Sequence, residues 1–240
     1  MEHYMPLLIL LVAALYSSVG HGGASGYLAV LLLAGHESGI IRPSALLLNV
    51  VVSAIAFIQF QRAGHFRWRL FWPFAIGSIP AAFLGGGISL DPVIYQRLLA
   101  LCLLFAVGRL LGVFGKWRSV LGDPAIPMAI VIGAVIGMLS GAIGIGGGII
   151  LGPVLLLFRW CHIHEAAAVS ALFILVNSIS GLAGLQGPIL ASPEIFAWLS
   201  AAVAGGIAGS YLGASRTTAL HLRQLLGAVL IIACIKLLLP

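Results

Sequence analysis

The chain has 240 residues, of which 61% are hydrophobic and only 8% are charged. This composition excludes an ordinary soluble domain and predicts a polytopic membrane protein built from helices. The formal net charge of +6 comes from basic residues that lie mostly between hydrophobic runs, so no nucleic-acid partner is expected. Uncharged runs that reach or exceed the roughly 18 residues of a spanning helix lie at 43–60, 70–90, 125–158, 166–193 and 195–215.

The first apolar element, residues 5–34, is interrupted by the glycine-rich segment GHGGASG at positions 20–26. No Lys or Arg precedes it in MEHYM, so it lacks the basic region of a cleaved signal peptide and is expected to be retained. We predict that this element forms a helical hairpin. Spanning helices are predicted to follow at 43–60, 70–88 and 93–113, which completes a first repeat over 1–113.

A second apolar element, residues 125–158, follows a predicted cytoplasmic linker at 114–124 and is interrupted in the same way by GAIGIGGGII at 141–150. The glycines of the two interruptions match in spacing, as do Asn49 and Asn177 in the helices that follow them. We infer a duplication, with a second repeat over 125–240. Its spanning helices are predicted at 165–183, 194–213 and 219–238.

Loop charges indicate that the two repeats have opposite orientations. The loop at 61–69 holds Arg62, Arg67 and Arg69, whereas its counterpart at 184–193 holds no Lys or Arg. Since basic loops stay in the cytoplasm, the first loop is predicted inside and the second outside. Each glycine-rich element must then begin and end on one side. Arms of about 15 residues span roughly 22 Å, short of a hydrocarbon core of about 30 Å, which favours re-entrant hairpins. Two full crossings joined by a tight turn are the alternative.

A hairpin of this kind places a helix amino terminus at each glycine turn, near Ala24 in one repeat and Ile149 in the other. Unpaired N–H groups and the helix dipole attract anions there, and helix breaks inside a membrane are typical of transport sites. The alternative is that the glycines only permit close helix packing. The residues predicted to bind substrate lie at the turns, beside them, or at matching depths in the helices that follow: Ser18, His21, Gly22, Gly23, Ala24, Ser25, Asn49, Ser140, Gly146, Gly147, Gly148, Ile149 and Asn177.

Together, the paired glycine-rich hairpins, Asn177 within ALFILVNSISG, the segment GGIAGSYLGA at 205–214 and the short charged central loop resemble the sulfite exporter TauE/SafE family. The resemblance covers nearly the whole chain. It implies movement of sulfite, sulfonates or related sulfur-containing anions across the cytoplasmic membrane. His21 stands where the second half has Ile145, so the two sides of such a site are expected to be chemically unequal.

The polar candidates each have a functional and a structural interpretation. Asn49 and Asn177 are expected to offer amide groups to sulfonyl oxygens, and their alternative role is to link helices by hydrogen bonds. The serines are expected to donate hydroxyls to the anion or to bond a carbonyl of their own helix. His21 is the titratable group predicted at the turn, where it binds the anion as imidazolium, changes protonation during transport, or stays neutral within the hairpin.

Other conspicuous residues have simpler interpretations. Cys161, His162, His164 and Glu165 resemble a metal cluster, but they lie at the predicted inner surface without a second ligand group, so no metal or other cofactor is expected. Arg42 is interpreted as part of a solvated helix end. The three cysteines, Cys102, Cys161 and Cys234, are widely spaced and are expected to pack rather than pair.

The sequence thus predicts an all-α polytopic protein of the cytoplasmic membrane, with two inverted repeats that each consist of a re-entrant hairpin and three spanning helices. We expect a secondary transporter, not an enzyme, that exports a small sulfur-containing anion by alternating access; its partners are this anion and the lipid bilayer. The alternatives are an anion channel-like facilitator, an intramembrane enzyme and a structural subunit of a membrane complex. No oligomeric state follows from the sequence.

Overall fold

The computed structural model describes residues 4–36, 38–88, 122–185 and 194–216, with positions 224 and 231. Every regular element in these ranges is helical, which confirms the all-α prediction for them. The predicted helices 93–113 and 219–238 lie outside the described residues, as do most of the linker 114–124, most of the loop 184–193, and the cysteines Cys102 and Cys234.

Eight α-helices lie in the described part of the chain: α1 (Met5–Ser17), α2 (Ala24–Leu33), α3 (Ser38–Arg62), α4 (Trp68–Gly86), α5 (Ile126–Ile143), α6 (Gly148–Leu157), α7 (Ile163–Gly184) and α8 (Ile195–Tyr211). A π-helical turn, Leu212–Arg216, continues α8. By length and composition, α3, α5, α7 and the combined α8 and π-helical turn can each cross a membrane. Their number and apolar character fit a multi-pass membrane protein.

Helix ends follow from local chemistry. Proline lies in the first turn of α1 and of α5, where its missing N–H removes no helical hydrogen bond. At the start of α7, the carboxylate of Glu165 accepts a hydrogen bond of 2.8 Å from the backbone N–H of His162. At the end of α5, Gly144 adopts a left-handed conformation and its N–H bonds the Ser140 carbonyl at 2.8 Å, as is common where helices stop.

The two glycine-rich elements are each broken into two helices, α1 with α2 and α5 with α6. The first break spans residues 18–23 and the second spans residues 144–147; we call them the first turn and the second turn. The arms differ in length: α1 has 13 residues, α5 has 18, and α2 and α6 have 10 each. At 1.5 Å per residue, α5 extends about 27 Å whereas α2 and α6 extend about 15 Å. The two helices around the second turn therefore differ more in length than the predicted arms of about 15 residues each. The reason is that α5 continues without a break up to Gly144.

Glycines let two helix pairs come into backbone contact. On α5, a Cβ atom at Gly133, Gly137 or Gly141 would overlap the backbone of α4. On α8 and the π-helical turn, a Cβ atom at Gly205 or Gly213 would overlap carbonyl oxygens of Leu10 in α1 and Ser18 in the first turn. Small residues at this spacing are the usual basis of close helix packing in membranes.

These contacts join helices of one half of the chain to helices of the other half. The helix before the second turn, α5, packs against α4 of the first half, and the helix before the first turn, α1, packs against α8 of the second half. Between them, α3 and α7 pack against each other, and each also contacts a helix of the other half. The most buried spanning candidates are α3 and α7, so the residues they present to the two turns are shielded from the surroundings.

The outer surface of this arrangement suits lipid. Large apolar side chains are exposed on the faces of α1, α4 and α5 that no described helix covers, among them Leu7, Leu11, Phe83, Val131 and Val135. In water such a surface would be a liability, whereas in a bilayer it is the expected boundary.

Candidate anion site between the two glycine turns

The two turns meet at the same side chains. A Cβ atom at Gly22 would overlap Asn49 Oδ1 and lie 3.0 Å from Ile174 Cγ2. A Cβ atom at Gly146 would lie 2.9 Å from Asn49 Nδ2 and 2.7 Å from Ile174 Cγ2. Since both glycines contact Asn49 of α3 and Ile174 of α7, the structure brings the first turn and the second turn together at the centre of the helices.

Asn49 links α3 to α7 at this point. It is fully buried, and its amide Nδ2 donates a hydrogen bond of 3.4 Å to the Ser178 hydroxyl of α7. The Asn49 Oδ1 atom has no hydrogen-bond partner. A buried polar atom without a partner costs stability unless something binds it, which is common at functional sites.

Each turn ends in a helix amino terminus. In α2 the amide N–H of Tyr27 bonds the Gly23 carbonyl at 2.9 Å, and in α6 the amide N–H of Leu151 bonds the Gly147 carbonyl at 3.0 Å. The N–H groups at the very start of each helix have no acceptor one turn earlier and carry partial positive charge. Two such termini on adjoining turns form a favourable environment for an anion.

A small cavity lies between the turns; we call it the turn cavity. It has a volume of about 10 Å³, which is the space that about one water molecule requires. It is therefore too small for a sulfur oxyanion in this conformation. Residues of both turns and their flanks line the turn cavity: Tyr16, His21, Gly22, Gly23, Ala24, Ser25, Ile145, Ile149 and Ile174.

His21 is only 2% exposed and lines this cavity. Its Nδ1 atom lies 3.0 Å from the carbonyl oxygen of Val19. Because a carbonyl only accepts hydrogen bonds, Nδ1 carries the hydrogen, and Nε2 of the neutral ring is an acceptor. Nε2 has no hydrogen-bond partner.

Asn177 is buried in α7, but no described contact brings it to either turn. Its Nδ2 donates 2.8 Å to the Phe173 carbonyl of its own helix, and its Oδ1 has no partner. The residues of α7 that do meet the turns are Ile174 and Ser178. They are four residues apart and share one helix face, whereas Asn177 is turned away from Ser178 by about 100°.

Of the predicted serines and small residues, some lie beside the turns and others point away from the turn cavity. Ser140 lies beside the second turn, with its Cβ 3.2 Å from the position of a Cβ at Gly147, and its hydroxyl has no partner. A Cβ at Gly148 would lie 2.9 Å from the Ser170 carbonyl. Ser18 instead bonds the Leu15 carbonyl at 2.7 Å and packs against Gly213, away from the cavity.

Sequence reasoning missed several residues at the turns: Tyr16, Ser170, Ile174 and Ser178. Ser25 donates a hydrogen bond of 3.0 Å to the Tyr16 hydroxyl. Residues 170, 174 and 178 are spaced by four, so a helical projection of α7 carries a signal for them: two serines and a β-branched residue on one face.

Arg42 is not a solvated helix end. Its guanidinium donates to the carbonyls of Gly86 at 3.0 Å and of Gly85 at 3.4 Å, and it also bonds the Gly141 carbonyl of α5. A Cβ at Gly144 would lie 2.9 Å from Arg42 Cγ, so the side chain supports the second turn. The final carbonyls of α4 lack helical partners, and in an apolar environment a guanidinium is a strong donor for them.

At the predicted inner surface, charged groups pair with one another. Arg67 contacts Asp123 at 2.6 Å and Glu165 at 3.6 Å, and the His65 and His164 rings lie 4.8 Å apart. Burial raises the pKa of the Cys161 thiol. Within the described ranges, no group of three or more His, Cys, Asp or Glu side chains is arranged to hold a metal.

Comparison with known proteins identifies the family. The family model of the sulfite exporter TauE/SafE matches residues 5–237. The chain is also 39% identical over 232 residues to a protein of Sinorhizobium fredii described as "Probable membrane transporter protein y4hK", a match that covers 95% of this chain and 94% of that protein. No solved structure is similar. As its glycine motifs predicted, the chain belongs to the sulfite exporter TauE/SafE family, and it is a multi-pass membrane protein.

Proposed function

We propose that this protein is a secondary transporter of the cytoplasmic membrane that exports a small sulfur-containing anion, sulfite or an organosulfonate, by alternating access. The observation that carries the proposal is the buried cavity between two glycine turns, each of which ends in a helix amino terminus. Membership of a family of membrane transporters supports transport as the general activity.

The anion is held mainly by backbone groups in this proposal. Among the described residues that line the turn cavity, none is Asp, Glu, Lys or Arg, so in this proposal the first N–H groups of α2 and α6 provide the positive potential. The Asn49 amide adds a donor beside both turns, because Nδ2 carries a second N–H besides the one that bonds Ser178. The nearby guanidinium of Arg42 supports the second turn and does not line the turn cavity.

The packing of helices from one half of the chain against the other half supports alternating access. Because α1 is joined to α8 and α5 to α4 by backbone contacts at glycines, each hairpin is expected to move with a helix of the other half. Rocking of these two units would open the turn cavity to one side and then to the other.

The test is uptake of radiolabelled sulfite, sulfate, thiosulfate and methanesulfonate into proteoliposomes. Wild type is compared with Gly146→Leu, whose side chain would displace Asn49 and Ile174, and with Asn49→Ala. Gly64→Leu is the matched control, since Gly64 has no atom within 4 Å of its Cβ position. Empty liposomes give the background.

We expect saturable uptake of a sulfur anion by wild type and Gly64→Leu, with strong loss in Gly146→Leu and weakened affinity in Asn49→Ala. Size-exclusion profiles of all variants show whether they are folded. Absence of uptake of every anion by wild type, under imposed pH and voltage gradients, would refute the proposed function. Uptake that does not saturate would indicate a channel-like facilitator.

A further inference from the structure

His21 separates the turn cavity from a second cavity. This second cavity, which we call the α7 cavity, also has a volume of about 10 Å³ and lies between α6 and the beginning of α7. His21 lines both cavities. Among the described residues, the other polar side chain that lines the α7 cavity is that of Ser170, and the rest of the lining is apolar or glycine. His21 thus contacts one cavity at the glycine turns and another at the beginning of α7, the end that is predicted to face the cytoplasm.

Two unpartnered polar atoms face one point in the α7 cavity. The position of a Cβ atom at Gly152 lies 3.1 Å from Ser170 Oγ and 3.7 Å from His21 Nε2. Both side chains are at least 98% buried, and neither atom has a hydrogen-bond partner. Both residues line the α7 cavity, whose volume of about 10 Å³ is the space that about one water molecule requires, so a water molecule in this cavity would have both atoms as partners. Such a water gives Nε2 a donor and acceptor through which a proton is exchanged.

The surroundings of His21 contain no fixed negative charge. Among the described residues that line the two cavities there is no Asp or Glu; the titratable neighbours are the Tyr16 phenol, in the turn cavity, and the Tyr27 phenol, against Gly23. A buried imidazolium without a counter-charge is strongly unfavourable. An anion in the turn cavity would be that counter-charge, and the backbone of Gly148 is close enough to interact with the protonated ring.

Resting on the proposed function, we propose that His21 takes up one proton when the anion binds and that the two cross the membrane together. The proton comes from water, binds to Nε2 and leaves from Nε2 on the other side, so no bond of the substrate is made or broken. Binding of the proton and binding of the anion each favour the other, as linked equilibria require. The substrate class that fits is a singly charged anion, whose transport with one proton is electroneutral.

The experiment uses proteoliposomes with a pH-sensitive dye inside, with the membrane voltage clamped, and with labelled methanesulfonate or sulfite outside. Methanesulfonate holds no proton near neutral pH, so every proton that enters with it belongs to the protein. For sulfite, which binds protons itself, the quantity that counts is the difference between wild type and His21→Gln. His162→Gln is the matched control, because His162 is exposed.

We expect about one proton per anion in wild type and in His162→Gln. In His21→Gln, anion uptake continues at a lower rate, the acidification disappears, and uptake becomes dependent on voltage. Anion uptake by wild type with no more acidification than His21→Gln would overturn this inference and leave the proposed function intact. No anion uptake by wild type would overturn both.

A second measurement covers the case in which His21→Gln does not fold. Calorimetric titration of purified wild type with the transported anion, in two buffers of different ionisation enthalpy, gives the number of protons bound with each anion. About one proton is expected near neutral pH, and zero would overturn the inference. Ser170→Ala is expected to slow acidification several-fold with anion affinity within twofold of wild type, and equal rates would show that the α7 cavity is not the route.

Discussion

The first turn and the second turn use the same backbone design with different side chains. Both contain glycines with positive φ angles and both lie against Asn49 and Ile174. The first turn is held by polar groups: His21 bonds Val19, and Ser25 bonds Tyr16. The second turn carries one buried isoleucine, Ile145, and is supported from outside by Arg42 of α3.

This difference separates two proposed functions, anion binding and proton transfer. What the turns share, a chain reversal that ends in a helix amino terminus, suits any anion and needs no particular side chain. What they do not share is the titratable ring of the first turn and the permanent cation behind the second. Arg42 stays charged at any relevant pH, whereas His21 can gain or lose a proton. If both turns had isoleucine where the first turn has His21, the pair would still bind an anion but would lack a titratable ring to carry a proton.

The largest effect is expected from Gly20→Ala in the first turn. Gly20 has a φ of +75°, and a Cβ there would overlap the Ala167 carbonyl of α7. Left-handed strain costs about 1–2 kcal/mol, and a forced overlap typically adds about 1–3 kcal/mol. The matched control is Gly64→Ala, with a φ of +79° and no neighbour within 4 Å, which bears the strain alone. Thermal unfolding in detergent should show a markedly larger loss for Gly20→Ala, and equal losses would mean that the contact with α7 is unimportant.

Arg42→Gln addresses the support of the second turn. The change removes charged donors from the carbonyls of Gly85, Gly86 and Gly141, and we expect a loss of about 2–3 kcal/mol, since hydrogen bonds to charged groups are stronger than average. Arg69→Gln, at an exposed position, is the control. Unfolding measurements on both variants test this prediction. A stability loss in Arg42→Gln below that in Arg69→Gln would show that the second turn does not depend on Arg42.

Asn49→Ala and Asn177→Ala compare the residues that the predicted duplication would make equivalent. Asn49 contacts both turns whereas Asn177 bonds its own helix, so only the first change is expected to weaken the apparent affinity for the anion, by about tenfold or roughly 1.4 kcal/mol. Competition of unlabelled anion against labelled uptake gives both affinities. If Asn177→Ala weakens binding as much as Asn49→Ala, the site extends farther along α7 than the contacts indicate.

Features set by local chemistry were predictable from sequence. The helix breaks follow from glycine clusters in otherwise apolar runs, and the family was recognised from the same glycines together with the segment around Asn177. The apolar composition gave the all-helical class for the described residues. Each of these depends on residues close together in the chain.

Features that depend on how helices rotate and pack were not predictable in this way. The predicted duplication made Asn177 equivalent to Asn49 and so predicted it at the site. The face of α7 that meets the turns is set by helix packing, and it presents Ile174 and Ser178. Arg42 was interpreted as solvated because its acceptors, in α4 and α5, are more than 40 residues away in sequence. A charge in an apolar protein finds such distant carbonyls only once the fold exists.

The smallest effect is expected from Ser25→Ala, which tests whether the polar lining of the first turn is a matter of stability or of binding. The change breaks the hydrogen bond to the Tyr16 hydroxyl and leaves that buried phenol without its donor, at a cost of about 1 kcal/mol. Ser200→Ala, whose exposed hydroxyl bonds its own helix, is the control and should change stability little. Because Ser25 also lines the turn cavity, stability and anion affinity must be measured together.

A stability loss with unchanged affinity assigns Ser25 to the support of the turn. Affinity that falls more than stability would make its hydroxyl a substrate contact, and the first turn would then bind the anion with side chains that the second turn, with Ile149 at the matching position, does not have.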